Sequence, residues 1–155
     1  MNKLNRKIEY SLMALKHMVQ KHPGELTTAK EVSETFRTPF DATARVMQLM
    51  ASRGLLKSEQ GAFGGYQITK DLAKVTMHEL IEIIDGPLAL VKCLHKEQAE
   101  PCEIQPTCNI FSPVSILNQK LNNFYQSLTL KDLLKESSRE VKSVGKEITE
   151  AILNG

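Results

Sequence analysis

No run of about 18 consecutive apolar residues occurs in the chain, which excludes an ordinary membrane-spanning helix. The N-terminal stretch starts basic, but charged and polar residues interrupt it and no small-residue cleavage motif follows. It is not read as a signal peptide, and a cytoplasmic protein is expected. Cysteine is missing from the first 92 residues; the three present, Cys93, Cys102 and Cys108, fall within 16 residues. An odd number of thiols in a reducing compartment does not build a disulfide framework, so their crowding asks for another explanation. A phosphate-binding loop, a His-Glu-x-x-His pair and a nucleophile elbow are also missing, so the chain does not read as an enzyme.

What remains is a globular composition, 41% hydrophobic and 25% charged over 155 residues, long enough to bury a core. The net charge of +2 conceals an asymmetry. Residues 1–70 carry 11 Lys and Arg against 6 Asp and Glu, and the remainder carries 9 against 12. A basic first half joined to a mildly acidic second half suits an N-terminal nucleic-acid module followed by an assembly module.

Apolar residues Leu4, Ile8, Leu12, Leu15 and Val19 recur at helical spacing, predicting a helix over 4–21 that His22-Pro23-Gly24 ends. Thr28 and Glu31 form a capping-box pattern for a second helix running to about Phe36. Thr38 is expected as the N-cap of a third helix, with Pro39 at its first position, Phe40, Val46, Met47, Leu49 and Met50 as its apolar contacts, and Gly54 as its terminator. Two short helices about a tight polar turn are a helix-turn-helix, whose second helix enters the major groove. Two short strands around Gly61, Gly64 and Gly65 then make a β-hairpin, a wing. The fold class expected is mostly α with a small β-hairpin: a winged helix-turn-helix plus a long dimerisation helix.

A fourth helix opens on a capping box of Thr76 and Glu79 and stops at Asp85-Gly86-Pro87. The cysteines occupy the loop that follows. Ser112-Pro113 opens a long helix in which Val114, Leu117, Leu121, Phe124 and Leu128 repeat as a heptad seam, read as a homodimer interface, with core packing as the alternative. Thr129 and Asp132 start a last helix expected to end near Leu153. The division is 1–85 for DNA binding, 86–111 for a cysteine-containing sensor loop and 112–155 for dimerisation.

The run Ser52 to Ser58, the wing from Gly61 to Tyr66, the stretch Asp85-Gly86-Pro87-Leu88-Ala89-Leu90-Val91-Lys92-Cys93 and the closing Ser127 to Leu133 resemble the Rrf2 family of bacterial regulators over about residues 3–134. The resemblance implies a homodimer with a winged helix at each end and, in many members, regulation through an iron–sulfur cluster. Cys93, Cys102 and Cys108 look like the ligands of the cluster-binding members, with a longer gap between the first two than is usual. Thiolates are soft anionic donors suited to iron. The cluster is a 2Fe-2S or 4Fe-4S centre; zinc on the same cysteines, or three unrelated thiols, are the alternatives. In IscR-like members a histidine follows the third cysteine, but here Asn109-Ile110-Phe111 stands there. In NsrR-like members a carboxylate before a tyrosine in the first helix serves, and Glu9 precedes Tyr10 here. Glu9, expected from the other subunit of the dimer, is thus the first candidate for the fourth ligand and His95 the local alternative; a plain helix-face carboxylate is the other reading of Glu9.

For DNA, the residues expected on the exposed face of the third helix are Asp41, Thr43, Ala44, Arg45 and Gln48, with Arg45 suited to guanine and Gln48 to adenine. Lys3, Arg6 and Lys7 are expected to hold phosphates. Thr28, Thr38, Gln60, Gly64 and Tyr66 complete the expected double-stranded DNA surface, which would read a pseudo-palindromic operator. Family members often carry a wing arginine where Gln60 stands. Three functions follow: a repressor sensing iron–sulfur, redox or nitric-oxide status, a cluster-free regulator sensing through thiol oxidation or a protein partner, and a zinc-stapled helical adaptor.

Overall fold

Residue Asn5 begins the first helix by accepting a hydrogen bond from the Lys7 backbone N–H at 3.0 Å, the expected use of an asparagine N-cap. The computed structural model describes residues 4–95 and 102–135. In chain order the elements are α1 (Arg6–Val19), α2 (Ala29–Phe36), α3 (Phe40–Ser52), β1 (Leu56–Glu59), β2 (Gly65–Ile68), α4 (Met77–Asp85), α5 (Phe111–Ser127) and α6 (Leu130–Lys135). Two short 3-10 turns, Lys92–Leu94 and Gln105–Thr107, lie between α4 and α5. No helix among the described residues is long and apolar enough to cross a membrane. Lys3 and the end of the last predicted helix near Leu153 lie outside the described residues.

One core is built from helix faces three and four residues apart. α1 contributes Ile8, Ala14, Leu15 and Met18, α3 contributes Val46, Met47 and Met50, and α4 contributes Met77, Leu80, Ile81 and Ile84. The predicted stripe of α1 is therefore rotated: Ser11 and Met18 are buried, whereas Leu4 and Val19 are exposed. Ser11 lies on the buried face without penalty because its hydroxyl donates to the Lys7 carbonyl at 2.8 Å. Leu130 of α6 joins the same core, fully buried. Its backbone N–H donates to the Val75 carbonyl at 2.9 Å, and the Met77 N–H donates to Leu128 at 2.8 Å.

β1 and β2 pair antiparallel, with Leu56 opposite Ile68 and Glu59 opposite Gly65. A third short stretch was not legible in the sequence: Thr27 exchanges backbone hydrogen bonds with Tyr66 at 3.0 and 2.8 Å. The wing is thus tied to the residue that precedes the N-cap of α2. Gly65 makes this approach possible, since a Cβ there would stand 3.0 Å from the Thr27 carbonyl oxygen.

The capping box predicted at α2 is only half formed. Thr28 accepts from the Glu31 N–H at 3.0 Å, but the Glu31 carboxylate turns instead to Lys21 at 2.6 Å and His17 at 2.7 Å. That triad pins the end of α1 to the start of α2. Burial opposes ionisation of Glu31, but hydrogen bonds from Lys21 and His17 outweigh it and hold the carboxyl below the ordinary glutamate range. A depressed carboxyl stabilises the fold above its unfolded value, about 4.3, and loses that contribution as pH falls through the folded value. Urea midpoints of Glu31→Gln and the native chain should therefore differ at pH 6 and converge towards pH 3; a constant gap would remove the triad from the account. At α4, by contrast, Thr76 and Glu79 form the full reciprocal box.

Candidate nucleic-acid interface and cysteine loop

The turn between α2 and α3 is held by side-chain hydroxyls. Arg37 adopts the left-handed conformation, φ 54°, and closes α2. The Thr43 hydroxyl donates to the Pro39 carbonyl at 2.9 Å, which leaves its oxygen to accept from Thr38 at 2.7 Å. The N-cap of α3 is Pro39, not Thr38, and the helix starts at Phe40. The shift by one follows from Thr38 spending its hydroxyl on Thr43 rather than on a backbone N–H.

Three expectations about α3 are corrected. Thr43 is fully buried, because it lies on the same stripe as Val46, Met47 and Met50, and it cannot present its hydroxyl to DNA. Ala44 is half-buried and packs on the core. Phe40, expected as a core contact, is exposed at the helix start. The face open to solvent is Asp41, Arg45, Gln48 and Ser52, spaced four, three and four residues. Arg37 and Ser52 extend this face and were missed by the sequence reading. A cation in the turn was the available signal for Arg37, and heptad-like continuation beyond Gln48 for Ser52.

Thr28 and Gln60 are exposed, while Thr38, Gly64 and Tyr66 are half-buried. Arg6 and Lys7 are exposed on the first turn of α1, and Arg6 makes a 3.5 Å ion pair with Glu9. Such an exposed i,i+3 pair contributes little to stability.

The cysteines stand on the two 3-10 turns and beside them. Cys93 is in the first, Cys108 caps the second, and Cys102 lies between. All three are free thiols of intermediate exposure. Three thiols suit an iron–sulfur cluster in kind. Among the described residues of the single chain, however, no three His, Cys, Asp or Glu side chains gather at a point that would hold a metal ion. His95 instead lines a cavity of about 460 Å³ with Leu4, Asn5, Ile8, Ile81 and Tyr125. The cavity thus joins the cysteine loop to the start of α1, and Asn5 braces it by donating to Asp85 at 3.0 Å.

α5 holds that loop from the other side. The Leu90 N–H donates to the Asn118 side chain at 2.9 Å, and the Asn122 amide donates to the Leu88 carbonyl at 3.4 Å. These two asparagines, one helical turn apart, were not picked out from the sequence. The predicted seam is divided between two surroundings. Leu128 packs on the core and Leu121 lines the cavity, whereas Leu117 and Phe124 are 57% and 58% exposed. Val114 is half-buried, and α5 opens at Phe111, before Ser112-Pro113, with Pro113 in its first turn.

Residues 4–136 match the Rrf2 family model, described as an iron-dependent transcriptional regulator. The chain belongs to the Rrf2 family. Among curated Rrf2-type relatives, the regulator NsrR of Bacillus subtilis is 25% identical over 143 residues, covering 90% of this chain and 95% of that protein. NsrR of Shouchella clausii is also 25% identical, over 81% of this chain and 84% of its own length. The solved structure of CymR, the global cysteine regulator of B. subtilis, superposes with a TM-score of 0.65 at 23% identity, over 89% of this chain and all of that one. IscR of T. potens gives a TM-score of 0.60 at 18% identity, over 86% of this chain and 87% of that one. The fold is therefore that of Rrf2 winged-helix regulators, and the chain is a transcriptional regulator rather than an enzyme.

Proposed function

We propose that this Rrf2 protein is a homodimeric repressor that binds a pseudo-palindromic operator through α3 and senses its signal at the cysteine loop through an iron–sulfur cluster. The observation that carries the reading is that three free, half-exposed thiols fall within 16 residues of the segment joining α4 to α5, a segment whose His95 lines the same cavity as the start of α1. Cys93, Cys102 and Cys108 would hold the cluster, with Glu9 or His95 as the fourth ligand. When bound, such a centre supplies reactivity towards oxidants and nitric oxide that no side chain offers. The rest is done by the chain itself. Glu9 sits on α1, whose buried face shares one core with α3, so a displacement of α1 reaches the reading helix through packed side chains. Arg6, Lys7 and Thr28 would touch phosphates, while Arg45 and Gln48 would read bases. The exposed Leu117 and Phe124, with the half-buried Val114 on the same helix, would supply the apolar surface for the two-fold partner.

A second reading is favoured by one observation: no three donors gather among the described residues of the single chain. A cluster-free Rrf2 regulator that responds by thiol oxidation or through a protein partner needs no such convergence. Anaerobic purification with iron, sulfide, zinc and visible absorption measured together separates the two. The cluster reading expects a coloured protein with iron and sulfide in similar amounts, loading lost in each Cys→Ala variant, and a labile but loaded centre in Glu9→Ala. A colourless protein with stoichiometric zinc, or with no metal, overturns it in favour of a structural metal or a thiol sensor. If Glu9→Ala matches the native chain in spectrum and lability, His95 takes its place.

A further inference from the structure

The wing carries one side chain that the fold leaves entirely without cover. Phe63, at the tip of the hairpin, is 93% exposed, while the aromatic three residues on, Tyr66, packs on the core. The tip is not a loose loop. The Gly64 N–H donates to the Gly61 carbonyl at 3.0 Å, and a Cβ at Gly64 would stand 2.5 Å from the Glu59 carbonyl oxygen. The hairpin base is fixed by the Thr27–Tyr66 pairing to the start of α2. The backbone that carries Phe63 is therefore tied to the helix-turn-helix, while its ring is open to solvent.

The wing carries no net positive charge. From Leu56 to Ile68 its charged residues are Lys57 and Glu59, which pair with each other at 2.9 Å. A hairpin without net charge gains no long-range attraction to phosphates, and its contacts there are limited to polar side chains and backbone N–H groups. An apolar wedge that parts two base pairs in the minor groove binds by stacking and burial instead, and phenylalanine is one of the residues used for this.

We propose that Phe63 inserts into the minor groove beside the half-site read by α3, at a flexible pyrimidine–purine step, and bends the DNA there. This rests on the DNA-binding reading above and is independent of the cluster. The sequence contains no tryptophan, so Phe63→Trp places a single tryptophan at the tip, excited selectively over the three tyrosines at the red edge of absorption, where its exposure leaves the fold undisturbed.

The probe is a 30-base-pair duplex, a length of roughly three helical turns, selected by the native chain from a randomised pool. On binding it, Phe63→Trp emission should be quenched by base stacking and shielded from acrylamide. Phe63→Ala should bind that duplex roughly 5- to 150-fold more weakly, with a smaller bend by end-to-end energy transfer and an unchanged salt slope. Emission that stays as accessible as in the free protein, or Phe63→Ala with native affinity and bend, overturns the wedge while DNA binding stands. Quenching that depends on protein concentration without DNA assigns the tip to a protein contact and also overturns it. If the native chain selects no duplex, the DNA-binding reading fails, and the wedge with it.

Discussion

Met47→Ala is expected to lower the unfolding free energy by about 2–5 kcal/mol, the range for truncating a buried methionine to alanine. Met47 is fully buried on α3, among Val46, Met50, Leu15 and Leu80. α3 packs against α1, α2 and α4, so the space left behind opens onto several elements at once and cannot be closed by one small shift. A domain of this kind has a total stability of only about 5–15 kcal/mol. Removing about 2–5 of it should lower the melting temperature by roughly 5–20 °C. Thermal or urea unfolding of the native chain and the variant checks this, and a change under about 1 kcal/mol would mean that α3 is not anchored by this face.

Arg45→Ala, two positions earlier on the same helix, should behave in the opposite way. Its side chain is on the exposed stripe with Asp41, Gln48 and Ser52, so stability should change little. If the guanidinium reads a guanine bidentately, its loss costs about 1–3 kcal/mol at the selected site, roughly 5- to 150-fold in affinity. The loss should be much smaller on random duplex, because a base contact carries sequence and a phosphate contact does not. Lys7→Ala, on the first turn of α1, should instead weaken both duplexes about equally. Equal weakening of both by Arg45→Ala would make Arg45 a phosphate clamp and shift base reading to Gln48 or Asp41.

Local chemistry was easiest to see in the sequence. The full capping box at Thr76 and Glu79, the half-used one at Thr28, the terminator Gly54 and the glycine wing each depend on a few adjacent residues, and each is present. What was misread depends on tertiary neighbours. Thr43 reads as a polar, exposed residue until its place on the buried stripe and its bonds to Pro39 and Thr38 are known. Glu31 reads as a capping residue until Lys21 and His17 arrive from α1. The rotation of the α1 face has the same origin, since a serine that returns its hydroxyl to the backbone can be buried and a terminal leucine can be left outside. The seam of α5 was visible as a repeat, but a repeat does not say which members face the core and which face a partner. The cysteines were conspicuous by spacing alone, and spacing does not bring side chains together across two turns and a loop.

Two copies of this Rrf2 chain are expected to read DNA through α3 about a two-fold axis. Hydroxyl-radical footprinting of the native chain on its selected duplex, repeated across a salt series, tests that most directly. The account predicts two equivalent protected patches related by a two-fold, centred about 10–10.5 base pairs apart or a multiple of it. It also predicts affinity that falls with salt at a slope of roughly −0.9 for each phosphate neutralised. A single asymmetric patch, protection that ignores salt, or no protection at all would contradict it.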